Sequence, residues 1–167
     1  MNVKGLVHVN INCSDFDRSV KFYELLGFQK VFEVPAKNTK EVAAAVGMPP
    51  YTVKGALLML VNSETPFMID LLEWQEPSDS NPPYPHLYHL GIARIALATD
   101  DLDSDVTFLK SQGVEFLSEP ATVKLEGQPE TRFVCFKDPD GTVLEPVSYT
   151  HLRAHETRHD LVCRLLL

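Results

Sequence analysis

The fold turns on His8-Val9-Asn10-Ile11-Asn12-Cys13-Ser14-Asp15-Phe16-Asp17-Arg18-Ser19-Val20-Lys21-Phe22-Tyr23-Glu24-Leu25-Leu26-Gly27-Phe28. Apolar and polar residues alternate over Leu6–Asn12, so a strand there carries His8, Asn10 and Asn12 on one face and Val7, Val9 and Ile11 on the other. Ser14 and Asp15 are both suited to cap a helix. Phe16, Val20, Phe22, Tyr23, Leu25 and Leu26 then form a helical apolar stripe, and Gly27 stands where a helix closes in the left-handed region. The same plan returns in the second half. His8, Asp15, Asp17, Val20, Phe22 and Gly27 reappear as Arg94, Asp101, Asp103, Val106, Phe108 and Gly113, always 86 positions later. A constant offset over that many positions marks two copies of one supersecondary unit. It also isolates one departure: a histidine in the first copy is an arginine in the second.

Outward from this stretch, Phe28–Val34 reads as a second strand. A short helix over 41–46 follows, suited to a lid, a connector or a dimer contact. Tyr51–Val61 and Phe67–Trp74 read as two further strands. Gln75–Leu87 holds four prolines and reads as a linker. In the second copy Ile92–Thr99 predicts a strand and Leu102–Gln112 a helix ended by Gly113. Val114–Leu117, a segment near Val123, and Thr131–Phe136 predict the middle strands. Asp138-Pro139-Asp140-Gly141 is a turn signal, and Thr142–Val147 a last strand. The expected class is α+β: two βαβββ modules side by side, forming a curved mixed sheet with a concave cup and the helices outside. Residues 1–147 make one domain, with modules at 1–75 and 90–147 and the linker at 76–89.

Composition narrows the function classes. The chain has 167 residues, 44% of them hydrophobic and 23% charged, which suits one buried core. A net charge of −8 argues against nucleic acid or an anionic membrane surface as partner. No apolar run is long enough to span a bilayer and no secretory h-region opens the chain. Cys13, Cys135 and Cys163 show no paired spacing, so a reduced cytoplasmic setting is expected. Residues 148–167 carry His151, His155 and His159 at helical spacing, which taken alone reads as three imidazoles on one face. The string instead resembles translated adapter read-through, and it is set aside from the fold as a non-native tail.

Several segments together resemble the vicinal-oxygen-chelate superfamily, which includes lactoylglutathione lyase, extradiol dioxygenases and bleomycin- and fosfomycin-resistance proteins. They are His8-Val9-x-Ile11-x-x-Ser14-Asp15-x-Asp17-Arg18-Ser19-Val20-x-Phe22-Tyr23-x-x-Leu26-Gly27-Phe28, Thr99-Asp100-Asp101-Leu102-Asp103, and Asp138-Pro139-Asp140-Gly141-x-x-Leu144-Glu145. The resemblance implies a divalent metal in the cup, at the positions of His8, Asp70, Arg94 and Glu145. His8, Asp70 and Glu145 are then the metal ligands, and Glu145 or Asp70 the catalytic group that moves a proton. Arg94, Asn10, Asn12 and Trp74 are the expected substrate contacts, with Leu72 and Ala96 beside them. The implied metal is Zn, Ni, Mn, Fe or Co. The implied activity is that of a lyase or isomerase acting on a small oxygenated molecule through an enediolate. A metal-free small-molecule-binding or resistance protein and a ring-cleavage dioxygenase are the alternatives. The resemblance also allows a homodimer.

Arg94 weakens the metal expectation. A guanidinium has no lone pair to donate and keeps its charge. Beside a cation about 4 Å away it costs on the order of 4 kcal/mol per unit charge at an effective dielectric near 20. Three arrangements stay open: a metal on the other three residues, an ion pair in place of the metal, or an arginine turned outward to an anionic substrate group. Strand parity puts Asp70 and Glu73 on opposite faces, with Asp70 toward the cup. His86 and His89 read as loop residues, and Cys13 and Cys135 as inert thiols.

Overall fold

The structure, a computed structural model, describes residues 2–63 and 67–150. The tail histidines and Cys163 lie outside the described residues. Nine strands and three helices are described in the order β1 (His8–Asn12), α1 (Phe16–Leu25), β2 (Phe28–Val34), α2 (Lys40–Ala45), β3 (Thr52–Leu60), β4 (Met68–Glu76), β5 (Ile95–Ala98), α3 (Leu102–Ser111), β6 (Ala121–Val123), β7 (Glu130–Phe133), β8 (Phe136–Lys137) and β9 (Val143–Thr150). The class is α+β. Hydrogen bonds divide the strands into two sheets, ordered β1-β4-β3-β2 and β5-β9-β7-β6, with β8 paired to β9. The described residues form two compact units, one of residues up to His89 with Asp138–Thr142, the other of Leu90–Lys137 with the strand from Val143 on.

The repeat is visible in the local structure. Helices α1 and α3 begin and end at positions 86 residues apart. Asp15 caps α1 by accepting the Arg18 N–H, and Asp101 caps α3 by accepting the Ser104 N–H, both at 3.0 Å. Gly27 and Gly113 close these helices at φ 89° and 82°, where a Cβ would be strained. Each first strand pairs in parallel with the last strand of its own half, β1 with β4 and β5 with β9.

In the first unit the apolar side of α1 (Phe16, Phe22, Tyr23) and the inward side of the sheet (Ile11, Leu58, Ile69, Leu71) are buried together. Each such side chain contributes about 1.5–3 kcal/mol on leaving water. In the second, Leu102, Val106 and Val134 form a cluster with Phe116 packed against it. Three elements differ from expectation. Val114–Leu117 is no strand; only Phe116 bridges to Phe136. The strand expected over Thr131–Phe136 is interrupted at Val134 and Cys135, which lie between the Phe133–Val147 and Phe136–Leu144 pairs. Pro146 of β9 faces this gap and has no N–H for the ladder. The last strand also runs past Val147 to Thr150, with Ser148 and Tyr149 paired to Arg132 and Thr131.

The Asp138–Gly141 turn is anchored within the first unit. Asp138 Oδ1 accepts the N–H groups of Asp140 (3.0 Å) and Thr142 (2.8 Å), and the buried Tyr23 hydroxyl donates to its Oδ2 at 2.9 Å. Asp140 accepts from the Ser14 N–H at 3.1 Å and from Arg18 Nη2 at 2.8 Å. Gly141 adopts φ 103° at the end of this turn.

Candidate functional site

Register places the expected residues within each half. In the first sheet Asn10 pairs with Asp70, and in the second Ala96 pairs with Glu145. Asn10 and Ala96 are repeat-equivalent, so Asp70 and Glu145 hold the same position in their respective sheets. Likewise His8 and Arg94 stand two residues before Asn10 and Ala96 in sequence, His8 at the start of β1 and Arg94 immediately before β5. The symmetry of the repeat therefore extends to the acids, which sequence offset alone did not connect.

The two halves treat their acid differently. In the second, Arg94 Nε lies 2.5 Å from Glu145 Oε2, with the Arg94 side chain 46% exposed and that of Glu145 11%. The Cys135 thiol also donates to Glu145 Oε2 at 3.5 Å. Burial, with the adjacent Glu145 charge, pushes the Cys135 thiol up to about 11. In the first, Asp70 Oδ1 is shielded from water and has no hydrogen-bond partner. Burial raises the Asp70 carboxyl above the ordinary aspartate range, and the His8 charge partly offsets this.

The open face of the first sheet carries the other expected contacts. Asn10 Nδ2 donates to the Asp70 carbonyl at 2.8 Å, and Trp74 Nε1 donates to Asn12 Oδ1 at 2.9 Å. Trp74 lies with its ring centroid 4.7 Å from that of Tyr51, the planes inclined by 44°. Tyr51 was missed from the sequence, because nothing in its neighbourhood marks it out from an ordinary strand-start aromatic. Asn38, also missed, accepts the Tyr51 N–H on Oδ1 at 2.9 Å while its buried Nδ2 has no partner. Glu73 faces the other way and accepts the Phe16 N–H at 2.9 Å, as strand parity requires.

Other candidates fall elsewhere. The rings of His86 and His89 stack on Tyr88 and Tyr84 in the loop before β5. Cys13 is buried and its thiol is pushed up to about 12. A surface depression of about 480 Å³ runs along α3 beside Asp103 and Phe108, and it includes none of the expected site residues. Both of its acids are engaged: Arg132 donates to both Asp103 oxygens at 2.7 and 2.8 Å, and Asp101 accepts the Ser104 N–H. No described helix is long and apolar enough to cross a membrane.

The donor set does not suit the implied metal. Arg94 has no lone pair to offer, and Glu145 is engaged by its permanent cation. Among the described residues no three His, Cys, Asp or Glu side chains are gathered to hold an ion.

Comparison with known proteins supplies the context. A family model described as Glyoxalase/Bleomycin resistance protein/Dioxygenase superfamily matches residues 5–145. A 4-hydroxyphenylpyruvate dioxygenase of Legionella pneumophila (strain Corby) is 31% identical over 124 residues. That match takes in 72% of this chain but spans only 31% of the dioxygenase. A glyoxalase family protein from Bacillus cereus superposes with a TM-score of 0.74 at 18% identity, covering 90% of this chain and 97% of that one. The fosfomycin resistance protein FosX from Listeria monocytogenes, complexed with Mn(II) and sulfate, gives a TM-score of 0.55 at 17% identity, covering 88% and 93%.

Proposed function

The chain belongs to the glyoxalase/bleomycin resistance protein/dioxygenase superfamily, and within it we propose that this protein binds a small molecule through its own side chains, without a divalent metal. One observation carries this reading: the 2.5 Å contact of Arg94 Nε with Glu145 Oε2. A charge-assisted pair of this length occupies the carboxylate and fixes a positive charge beside it. A metal at that carboxylate would have to displace a guanidinium and then tolerate it as a neighbour.

In this reading Arg94 and Glu145 act together. Glu145 holds the arginine in place, and the half-exposed guanidinium has more N–H donors than the carboxylate accepts. Arg94 therefore presents donors to an anionic or carbonyl oxygen of the ligand. The metal-dependent lyase or isomerase and the ring-cleavage dioxygenase are the competing readings within the same superfamily.

The test is a thermal-shift screen of small oxygenated and aromatic compounds, run once in EDTA and once with Mn(II), Zn(II) or Ni(II). Histidines 151, 155 and 159 are replaced by alanine so that the tail contributes no metal binding. Stabilisation that persists in EDTA supports the reading. Stabilisation seen only with added metal overturns it and returns the protein to the metal-dependent class.

A further inference from the structure

Arg94 meets Glu145 through Nε, and its Nη1 and Nη2 have no hydrogen-bond acceptor among the described residues. The side chain is 46% exposed and within reach of a ligand. Glu145 is held by a second donor, the Cys135 thiol, on the same oxygen. The carboxylate thus holds the arginine by Nε, and the Nη1–Nη2 edge lies on another side of the planar group. That edge carries two parallel N–H groups, which match the two oxygens of one carboxylate. A carbonyl engages them less fully, since it offers a single oxygen. The surface beside the pair is apolar. Directly paired residues share a face of a sheet, as do alternate residues of a strand. Glu145 pairs with Ala96, and two residues on Val147 pairs with Ala98 on one side and Phe133 on the other. These residues therefore lie on the face to which Arg94 turns. Ala96 and Ala98 are exposed and Phe133 is half-buried. Side chains no taller than a methyl group at 96 and 98 leave a low apolar floor, about 7 Å along β5 at roughly 3.3 Å per residue.

We infer that Arg94 binds the carboxylate of an apolar monocarboxylic acid, its Nη1–Nη2 edge on the two oxygens and the ligand's body over Ala96, Ala98 and Phe133. The inference rests on metal-free binding through Arg94 and adds the ligand's chemical class. Charge narrows that class. Arg94 and Glu145 together are neutral, so a bound monoanion leaves a single uncompensated charge, whereas a phosphate dianion brings twice that beside Glu145. The chain's net charge of −8 opposes the dianion more strongly at long range as well.

The experiment compares three compounds that share one ring system: 2-naphthoate, its neutral amide, and 2-naphthyl phosphate, which is largely a dianion at pH 7. Each is titrated in EDTA into the isotopically labelled full chain with His151, His155 and His159 replaced by alanine. Nuclear magnetic resonance follows the Arg94 Nε–H signal, assigned by its loss in Arg94→Lys, and the backbone amides of β5 and β9. The dispersion of the amide spectrum confirms that each variant is folded. The expected result is saturable binding of 2-naphthoate that shifts the Arg94 Nε–H signal and the Ile95–Ala98 amides, at least about tenfold tighter than the amide or the phosphate. Arg94→Lys keeps the charge and loses the two-pronged edge, and it is expected to weaken 2-naphthoate at least about fivefold. Equal affinity for the amide, tighter binding of the phosphate, shifts confined to the first half, an unchanged affinity in Arg94→Lys, or no binding of 2-naphthoate overturns the inference. Binding of the amide in EDTA with no binding of 2-naphthoate overturns this inference while leaving metal-free binding intact. Binding that appears only once Zn(II) replaces EDTA overturns both.

Discussion

Arg94 and Glu145 form an ion pair at the position where the first half of the molecule places His8 and Asp70, and in the first half one oxygen of the acid has no hydrogen-bond donor. Two copies of one unit have thus diverged at the same two register positions. One copy has neutralised its carboxylate internally, and the other has kept an unsatisfied oxygen. The divergence turns on His8 against Arg94. Imidazole can be neutral and donate a lone pair, whereas guanidinium is always charged and only donates hydrogens.

Arg94→Ala leaves Glu145, whose side chain is 11% exposed, without its cation. The expected loss is about 1–2 kcal/mol, between the values for exposed and for fully buried pairs because Arg94 is half exposed. Urea denaturation of wild type and variant measures it. An unchanged midpoint would show that the pair contributes nothing in solution.

Asp70→Asn removes a partly buried charge that the neighbouring His8 offsets only in part. It is expected to stabilise the protein by about 1 kcal/mol at neutral pH, raising Tm by about 2–4 °C. The pH dependence has a definite sign. Because burial raises the folded pKa above the unfolded one, the penalty in wild type is full above the folded pKa and vanishes below the unfolded pKa. The stability gap between variant and wild type therefore closes as pH falls through the aspartate range. Scanning calorimetry at neutral and acidic pH, with His8→Asn as background to remove the neighbouring imidazole, tests this.

Tyr23→Phe deletes the hydroxyl that donates to Asp138 Oδ2 in a buried setting. An expected destabilisation of about 1–3 kcal/mol follows from leaving a buried carboxylate oxygen short of a donor. Thermal denaturation measures the loss. Hydrogen exchange at the Asp140 and Thr142 amides, which Asp138 binds, is expected to quicken with it.

Cys13 and Cys135 are expected to resist alkylation at neutral pH, since burial pushes their thiols up to about 12 and about 11. Mass spectrometry after iodoacetamide treatment of the native protein reads this out site by site. Both thiols react once the chain is unfolded. Rapid modification of the native protein at either position would contradict the buried geometry.

Much of the fold was legible because the repeat made each half a control on the other. The caps at Asp15 and Asp101 and the glycines at 27 and 113 fixed both helices to within a residue. What failed did so through tertiary context. Pro146 interrupts a strand that its own sequence partner gave no reason to break. Val114–Leu117 has strand-like residues yet finds only one bridging partner. In the site, Asp70 was separable from Glu73 by strand parity alone. The Arg94–Glu145 pair was one of three arrangements that sequence left open, and choosing among them needed a distance. Tyr51 and Asn38 had no signal, because their importance lies in meeting Trp74 and a buried amide across a long connection.

The most direct test of the central claim is metal stoichiometry. The full chain with His151, His155 and His159 replaced by alanine is incubated in turn with Mn(II), Fe(II), Co(II), Ni(II) and Zn(II). It is then desalted and analysed by elemental mass spectrometry, with His8→Ala alongside. Metal-free binding predicts that no metal is retained in stoichiometric amount and that His8→Ala behaves like its parent. Near one metal per chain, lost in His8→Ala, would contradict it and show that the Arg94–Glu145 pair yields to a bound ion.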